Sequence, residues 1–292
     1  MKNFNNILFV VFLLFTSQLF SMEIEQKKSS TNEFIYSVGM RTVAGTAHAN
    51  EDRFFVCHND KELSVGLFDG HGGSEVSQFL ADEFLSILQQ CESLELCLKE
   101  AVTHAFHSAD FLCLDKNLQG STALLLIIRG NDLLIAHAGD SRAVLYKFDG
   151  QEKSFLATRD HKPNDPDERK RILELGGQIN VSGTTFRVGG HVNLTVSRSI
   201  GDYPKRHMAK DKGLTCQPEI LTRNINSTYK FIILASDGIW DVMTSEDAIH
   251  EVKKVLLLAS PSRAAKRLIS LAQQRGSTDD LTVIVIKFTH LG

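Results

Sequence analysis

The chain alternates short apolar runs with glycine, aspartate and asparagine, broken by two long stretches of helical spacing. Residues 63–68, 122–128, 133–138, 143–147, 231–235 and 281–288 are apolar or β-branched and bounded by turn residues, which predicts strands. Across 74–90 and 94–114 apolar side chains recur every three or four positions, which predicts amphipathic helices. Thr244 stands where a helix N-cap is expected; Ser260 followed by Pro261 opens another helix, and Gly276 stops it. Pro166, with Asp167 and Glu168 in the first turn, starts a further one. The strands flank loops and do not alternate strictly with helices. This order predicts a mixed sheet sandwich with helices outside and argues against a doubly wound parallel sheet.

Composition bounds this picture without naming a function. The 292 residues are 42% hydrophobic, enough for a sizeable core. With no long low-complexity linker or internal repeat, one domain over 34–289 is the simplest division, preceded by a polar, flexible segment at 22–33. A formal net charge of -3 lacks the basic field of a general nucleic-acid binder, so no nucleic-acid partner is expected.

Residues 1–21 read as a secretory signal peptide. Lys2 precedes the apolar run ILFVVFLLF at 7–15; Thr16, Ser17 and Gln18 break it, and Ser21 offers a cleavage position. The run is shorter than the about 20 residues of a spanning helix. Leu19 departs from the small residue favoured there. A secreted or periplasmic protein, including one delivered to a host, is the expectation; an uncleaved membrane anchor and a buried N-terminal helix are the alternatives. The cysteines Cys57, Cys91, Cys97, Cys113 and Cys216 form no Cys-x-x-Cys pair, which argues against a zinc site. They read mainly as small buried apolar residues.

The chemistry gathers where strands run into aspartate beside glycine: Asp69-Gly70-His71-Gly72-Gly73, Gly139-Asp140-Ser141-Arg142 and Ser236-Asp237-Gly238. A buried strand fixes its end, so such a carboxylate can be aimed, and glycine lets backbone approach an ion. Glu51-Asp52 and Asp279-Asp280 add two acidic pairs. Converging carboxylates repel, and divalent cations are their natural counter-charge. All-oxygen ligation favours magnesium or manganese. A lone Asp-Gly is more often a turn cap, but that reading weakens when the arrangement recurs at three strand ends.

Six segments, FDGHGG (68–73), GSTA (120–123), GDSRAVL (139–145), DHKP (160–163), VSRSIGD (196–202) and SDGIWDVM (236–243), resemble in order the type 2C, or PPM, protein phosphatases. Asn50-Glu51-Asp52 and Asp279-Asp280-Leu281-Thr282 fit the family's first and last motifs. The resemblance implies an α+β fold, a β-sandwich of two mainly antiparallel sheets flanked by helices on both sides. It implies a monomeric serine/threonine phosphatase that acts on phosphorylated proteins with two Mg2+ or Mn2+ ions and a weaker third. Asp69 would bridge the pair, with Asp237 and Asp279 completing one ion and Glu51 and the Gly70 carbonyl the other. Asp52 would support that shell, and Asp140, Asp237 and Asp241 match the third site. His71 matches the general acid, a role suited to imidazole.

Two positions depart from the family. A phosphate-gripping arginine is usual where Ala47 stands, which leaves Arg41 and Arg187 as candidates for substrate binding. Asp280 stands where asparagine is more usual, adding negative charge beside the ions. The 120–122 segment and His161 read as structural. Ala47 also keeps a second class of function open, a pseudophosphatase that binds partners through the same fold. A metallohydrolase of small phosphate esters is a third.

Overall fold

The computed structural model describes residues 9–10, 20–25, 34–116, 119–151, 153–191, 193–204 and 210–290. Two six-stranded sheets carry the fold. The first runs Phe9–Val10, Arg53–His58, Glu62–Phe68, Ala123–Arg129, Asp132–Ala138, Glu219–Asn224. The second runs Lys153–Ala157, Arg142–Phe148, Tyr229–Ala235, Leu281–His290, Phe34–Val43, Phe20–Glu25. The pairings within both sheets are antiparallel.

The strands predicted from apolar runs are buried on both faces, which is why they lack strict alternation. In Leu281–His290, Ile284 and Ile286 enter the core between the sheets together with Val65, Leu67 and Leu126 of the other sheet. Val283 and Val285 face the other way, against Ala264, Leu268 and Ala272. Those last three lie on Pro261–Gln274, which with Ser245–Leu256 covers the second sheet. Glu75–Glu92 and Leu98–Leu112 cover the first through Leu80, Phe84, Val102 and Phe106. The result is a four-layer sandwich, helices outside and sheets inside, as the sequence predicts.

Several strands are not evident in the pattern. Phe34–Val43, Arg53–His58 and Glu219–Asn224 carry arginine, serine or glycine among their apolar residues; distant partners hold the first and third in register, and the second forms a hairpin with Glu62–Phe68. The second helix starts at Leu98 and not at 94, because Glu95 adopts φ 61° in the turn after the first helix. Within the segment expected to be flexible, residues 22–25 belong to Phe20–Glu25, an edge strand paired with Phe34–Val43. The signal-segment reading otherwise rests on residues 1–8 and 11–19, outside the described residues. Among the described residues no helix is long and apolar enough to cross a membrane. The five cysteines are unpaired; four are buried, whereas Cys97 is exposed as the N-cap of the second helix.

Candidate functional site

The acidic centre forms where strands of both sheets end. Asp69 leaves Glu62–Phe68, and its backbone is gripped on both sides: its N–H donates to Thr122 Oγ1 (3.1 Å), and its carbonyl accepts from Thr122 N–H (2.8 Å) and Ser121 Oγ (3.1 Å). Thr122 Oγ1 also bonds Ser141 Oγ (2.9 Å), joining Asp69 to the turn of Asp140. Gly120, Ser121 and Thr122 thus pack beside the site, as expected. Asp237 opens the helical turn Asp237–Trp240. Just before it, Ser236 Oγ donates to Asp52 Oδ2 (2.9 Å) and accepts from Thr282 N–H (3.0 Å). At Gly70 a Cβ would sit 2.7 Å from the Glu51 carbonyl oxygen, so only glycine allows these two loops to meet.

The electrostatics are those of like charges confined together. Burial, then the charges of Asp52, Asp237, Asp140 and Asp279, hold Asp69 well above the usual carboxylate range. Asp237 is raised in the same way by burial, Asp140, Asp241 and Asp279. Asp140 and Asp52 are raised chiefly by burial. Asp52 Oδ1 is buried without a hydrogen-bond partner, which is costly for a carboxylate oxygen. Among the described residues no three acidic, histidine or cysteine groups close into a finished ion cage. The donor set of carboxylates with a deficit of positive charge nonetheless fits hard divalent cations.

His71 stands beside this centre, with Nε2 2.8 Å from Asp202 Oδ1. Burial works against its protonated form, but the Asp202 carboxylate outweighs that and raises its pKa. Asp202 is fully buried, adopts φ 61°, and also accepts from Ser199 Oγ (2.5 Å). A Cβ on Gly120 would lie 2.2 Å from the Asp202 carboxylate, so that glycine makes its room.

The structure places Arg41, Arg187 and Asp280 as follows. Arg41 is not directed to the acidic centre by its strand: it pairs with Val283, whose side chain faces the outer helices, while neighbouring Thr42 points inward and bonds Asn50 and Thr282. Arg187 lies in the hairpin of Gln178–Ser182 and Thr185–Gly189, where it donates to the Asn193 carbonyl (3.0 Å). Asp280 does more than add charge. Its two oxygens accept the N–H groups of Gly45 and Glu51, each at 2.7 Å, and so pin both ends of the loop that carries Ala47.

Two charged residues escape the sequence reading although both lie in the motifs quoted, Asp202 in VSRSIGD and Lys162 in DHKP. Lys162 Nζ lies 3.3 Å from Asp140 Oδ2 and 3.2 Å from Asp241 Oδ1. His161, as expected, shapes its loop. It is fully buried, accepts from Gly139 N–H through Nδ1 (3.2 Å), and stacks on His137.

Residues 36–281 match the family model described as Protein phosphatase 2C. Probable protein phosphatase 2C 52 of rice is 36% identical over 263 residues, covering 87% of this chain and 51% of the rice protein. Probable protein phosphatase 2C 59 of Arabidopsis thaliana is 38% identical over 263 residues, covering 87% of this chain and 80% of that one. The chain spans 51%, 59% and 65% of the lengths of three rice relatives. Among solved structures, a serine-threonine phosphatase 2C from Toxoplasma gondii superposes with TM-score 0.75 over 94% of this chain and 100% of that one, at 22% identity. At that identity the likeness concerns the fold.

Proposed function

This chain belongs to the protein phosphatase 2C family, and on that premise we propose that it hydrolyses phosphoserine and phosphothreonine in proteins with Mg2+ or Mn2+. The observation that carries the reading is a set of clustered carboxylates, Asp52 and Asp140 buried and Asp69 and Asp237 half-buried, all raised in pKa by withdrawal from water and by neighbouring acids. Asp69, Asp237 and Asp279 would hold one ion; Asp69, Glu51 and the Gly70 carbonyl would hold the other. Asp140, Asp237 and Asp241 would take a weaker third. When bound, such ions lower the pKa of a water and offset phosphoryl charge.

The chain's own groups supply the rest. Asp52, held by Ser236, keeps the loop of Glu51 against the centre. Asp202 accepts at Nε2 of His71, which leaves Nδ1 as the atom that protonates the departing serine or threonine oxygen.

The test is turnover of a phosphothreonine peptide by the full chain with Mn2+, with and without chelator, beside Asp69→Asn. Metal-dependent release of phosphate that Asp69→Asn abolishes is the expected result. The second reading, a binding module without activity, is favoured by Ala47 together with the register that turns Arg41 toward the outer helices. A wild-type chain that stays inactive at saturating Mn2+ would establish it.

A further inference from the structure

Lys162 is held in front of the acidic centre by an unusually complete set of bonds. The turn it sits on is fastened to the turn of Asp140: His161 N–H donates to the Gly139 carbonyl (3.0 Å), and Gly139 N–H returns a bond to His161 Nδ1 (3.2 Å). One residue before His161, Asp160 receives Arg142 in bidentate fashion, at 2.8 and 2.7 Å. On the other side, Asp165 N–H donates to the Lys162 carbonyl (3.0 Å). With its backbone fixed, the ammonium reaches between a buried carboxylate, Asp140, and a largely exposed one, Asp241. Among the described residues it is the one lysine or arginine ion-paired to either; Arg142, though near, is committed to Asp160.

We propose that Lys162 is a tethered counter-cation that competes with a divalent ion for Asp140 and Asp241 and thereby sets how weakly that ion binds. The inference rests on reading these two acids as part of the weak third site. An ion coordinating Asp140 Oδ2 or Asp241 Oδ1 must break an ion pair already made, and the broken pair subtracts from its affinity. Lysine suits this role because its compact charge has three rotatable donors and can leave along the open side, where the side chain is part-exposed. The other ions would feel Lys162 less, since Asp69 and Asp279 make no ion pair with it among the described residues.

The experiment is a Mn2+ titration of the full chain, followed by electron paramagnetic resonance of the free ion and by calorimetry. Lys162→Met should tighten the weakest class of site by about tenfold, while Lys162→Arg keeps it weak. Lys162→Gln replaces Lys162→Met if melting in chelator shows that the latter does not fold. Asp140→Asn should remove the weak class altogether. If Asp140→Asn removes that class but Lys162→Met or Lys162→Gln leaves it unchanged or weaker, the competition is refuted and the site assignment survives. If Asp140→Asn leaves the weak class intact, the assignment fails, and the role of Lys162 fails with it.

Discussion

Glu168 and Asp52 are equally withdrawn from water, at 1% and 2% exposure, yet the chain treats them in opposite ways. Glu168 accepts from Arg171 Nη2 (2.7 Å), Arg198 Nη2 (2.6 Å) and Ser197 Oγ (2.6 Å). Burial raises its pKa, but these partners outweigh burial and hold it well below the usual carboxylate range. Asp52 has a hydroxyl on one oxygen, nothing on the other, and Asp279 and Asp280 for neighbours. The same fold therefore supplies full counter-charge where an acid ties elements together and falls well short of it at the ends of the central strands, where among the described residues Lys162 pairs with Asp140 and Asp241 and no cation pairs with Asp52, Asp69 or Asp237. A buried charge without a partner is expensive. That shortfall is what marks the second group as a site for something from outside.

The sharpest way to break this contrast is to neutralise one acid of the unpaired group. Asp237→Asn should lower turnover at least about a thousandfold while the melting temperature in chelator stays level or rises. The sign follows from its raised pKa. A carboxyl that holds its proton longer in the folded state lends stability at low pH and loses it as pH rises above about 4. In chelator the wild type should thus melt lower at pH 7 than at pH 5 through this group, and the variant should show less of that slope. A variant that melts several degrees lower in chelator would mean that the fold already holds Asp237 as it holds Glu168.

In the paired group the effect should fall on stability. Glu168→Gln leaves two half-buried guanidinium groups short of a partner and should cost about 2 kcal/mol near pH 7. Here the pKa is depressed, so the stabilisation is present above the unfolded value near 4.5 and is lost as pH falls through the folded one. Denaturant titrations at pH 7 and pH 3.5 should show the gap between variant and wild type narrowing at the lower pH. A gap that does not change with pH would assign the loss to packing.

The two groups also differ in how far they can be read from sequence. Asp69, Asp140 and Asp237 each follow an apolar run, so their placement at strand ends needs only local pattern. The inner strands are legible for the same reason. Arg41 is not, because its direction depends on a register with Val283, about 240 residues away in the chain, which no local pattern encodes. Asp202 and Lys162 are visible as charged residues inside motifs, but their partners His71 and Asp140 come from other segments. Asp280 shows the same limit. Its identity suggests added charge, and its function as a clamp on Gly45 and Glu51 appears only in three dimensions.

The smallest expected effect sharpens the comparison at the substrate side, where positive charge is again scarce. With Arg41 turned toward the helix face, Arg41→Ala should change kcat/KM by no more than about twofold. Ala47 differs: it is exposed on a loop whose ends Asp280 pins, and Thr46 N–H adds a bond to the Thr278 carbonyl (2.9 Å). Ala47→Arg therefore has room for the new side chain on a backbone that is already fixed. A guanidinium there adds charge and bidentate geometry for a phosphate group, so KM for a phosphopeptide should fall several-fold, about 1 kcal/mol of binding, with kcat little changed. Steady-state kinetics of both variants on one peptide decide the matter. A damaging Arg41→Ala beside a silent Ala47→Arg would show that the Arg41 side chain reaches substrate despite its register.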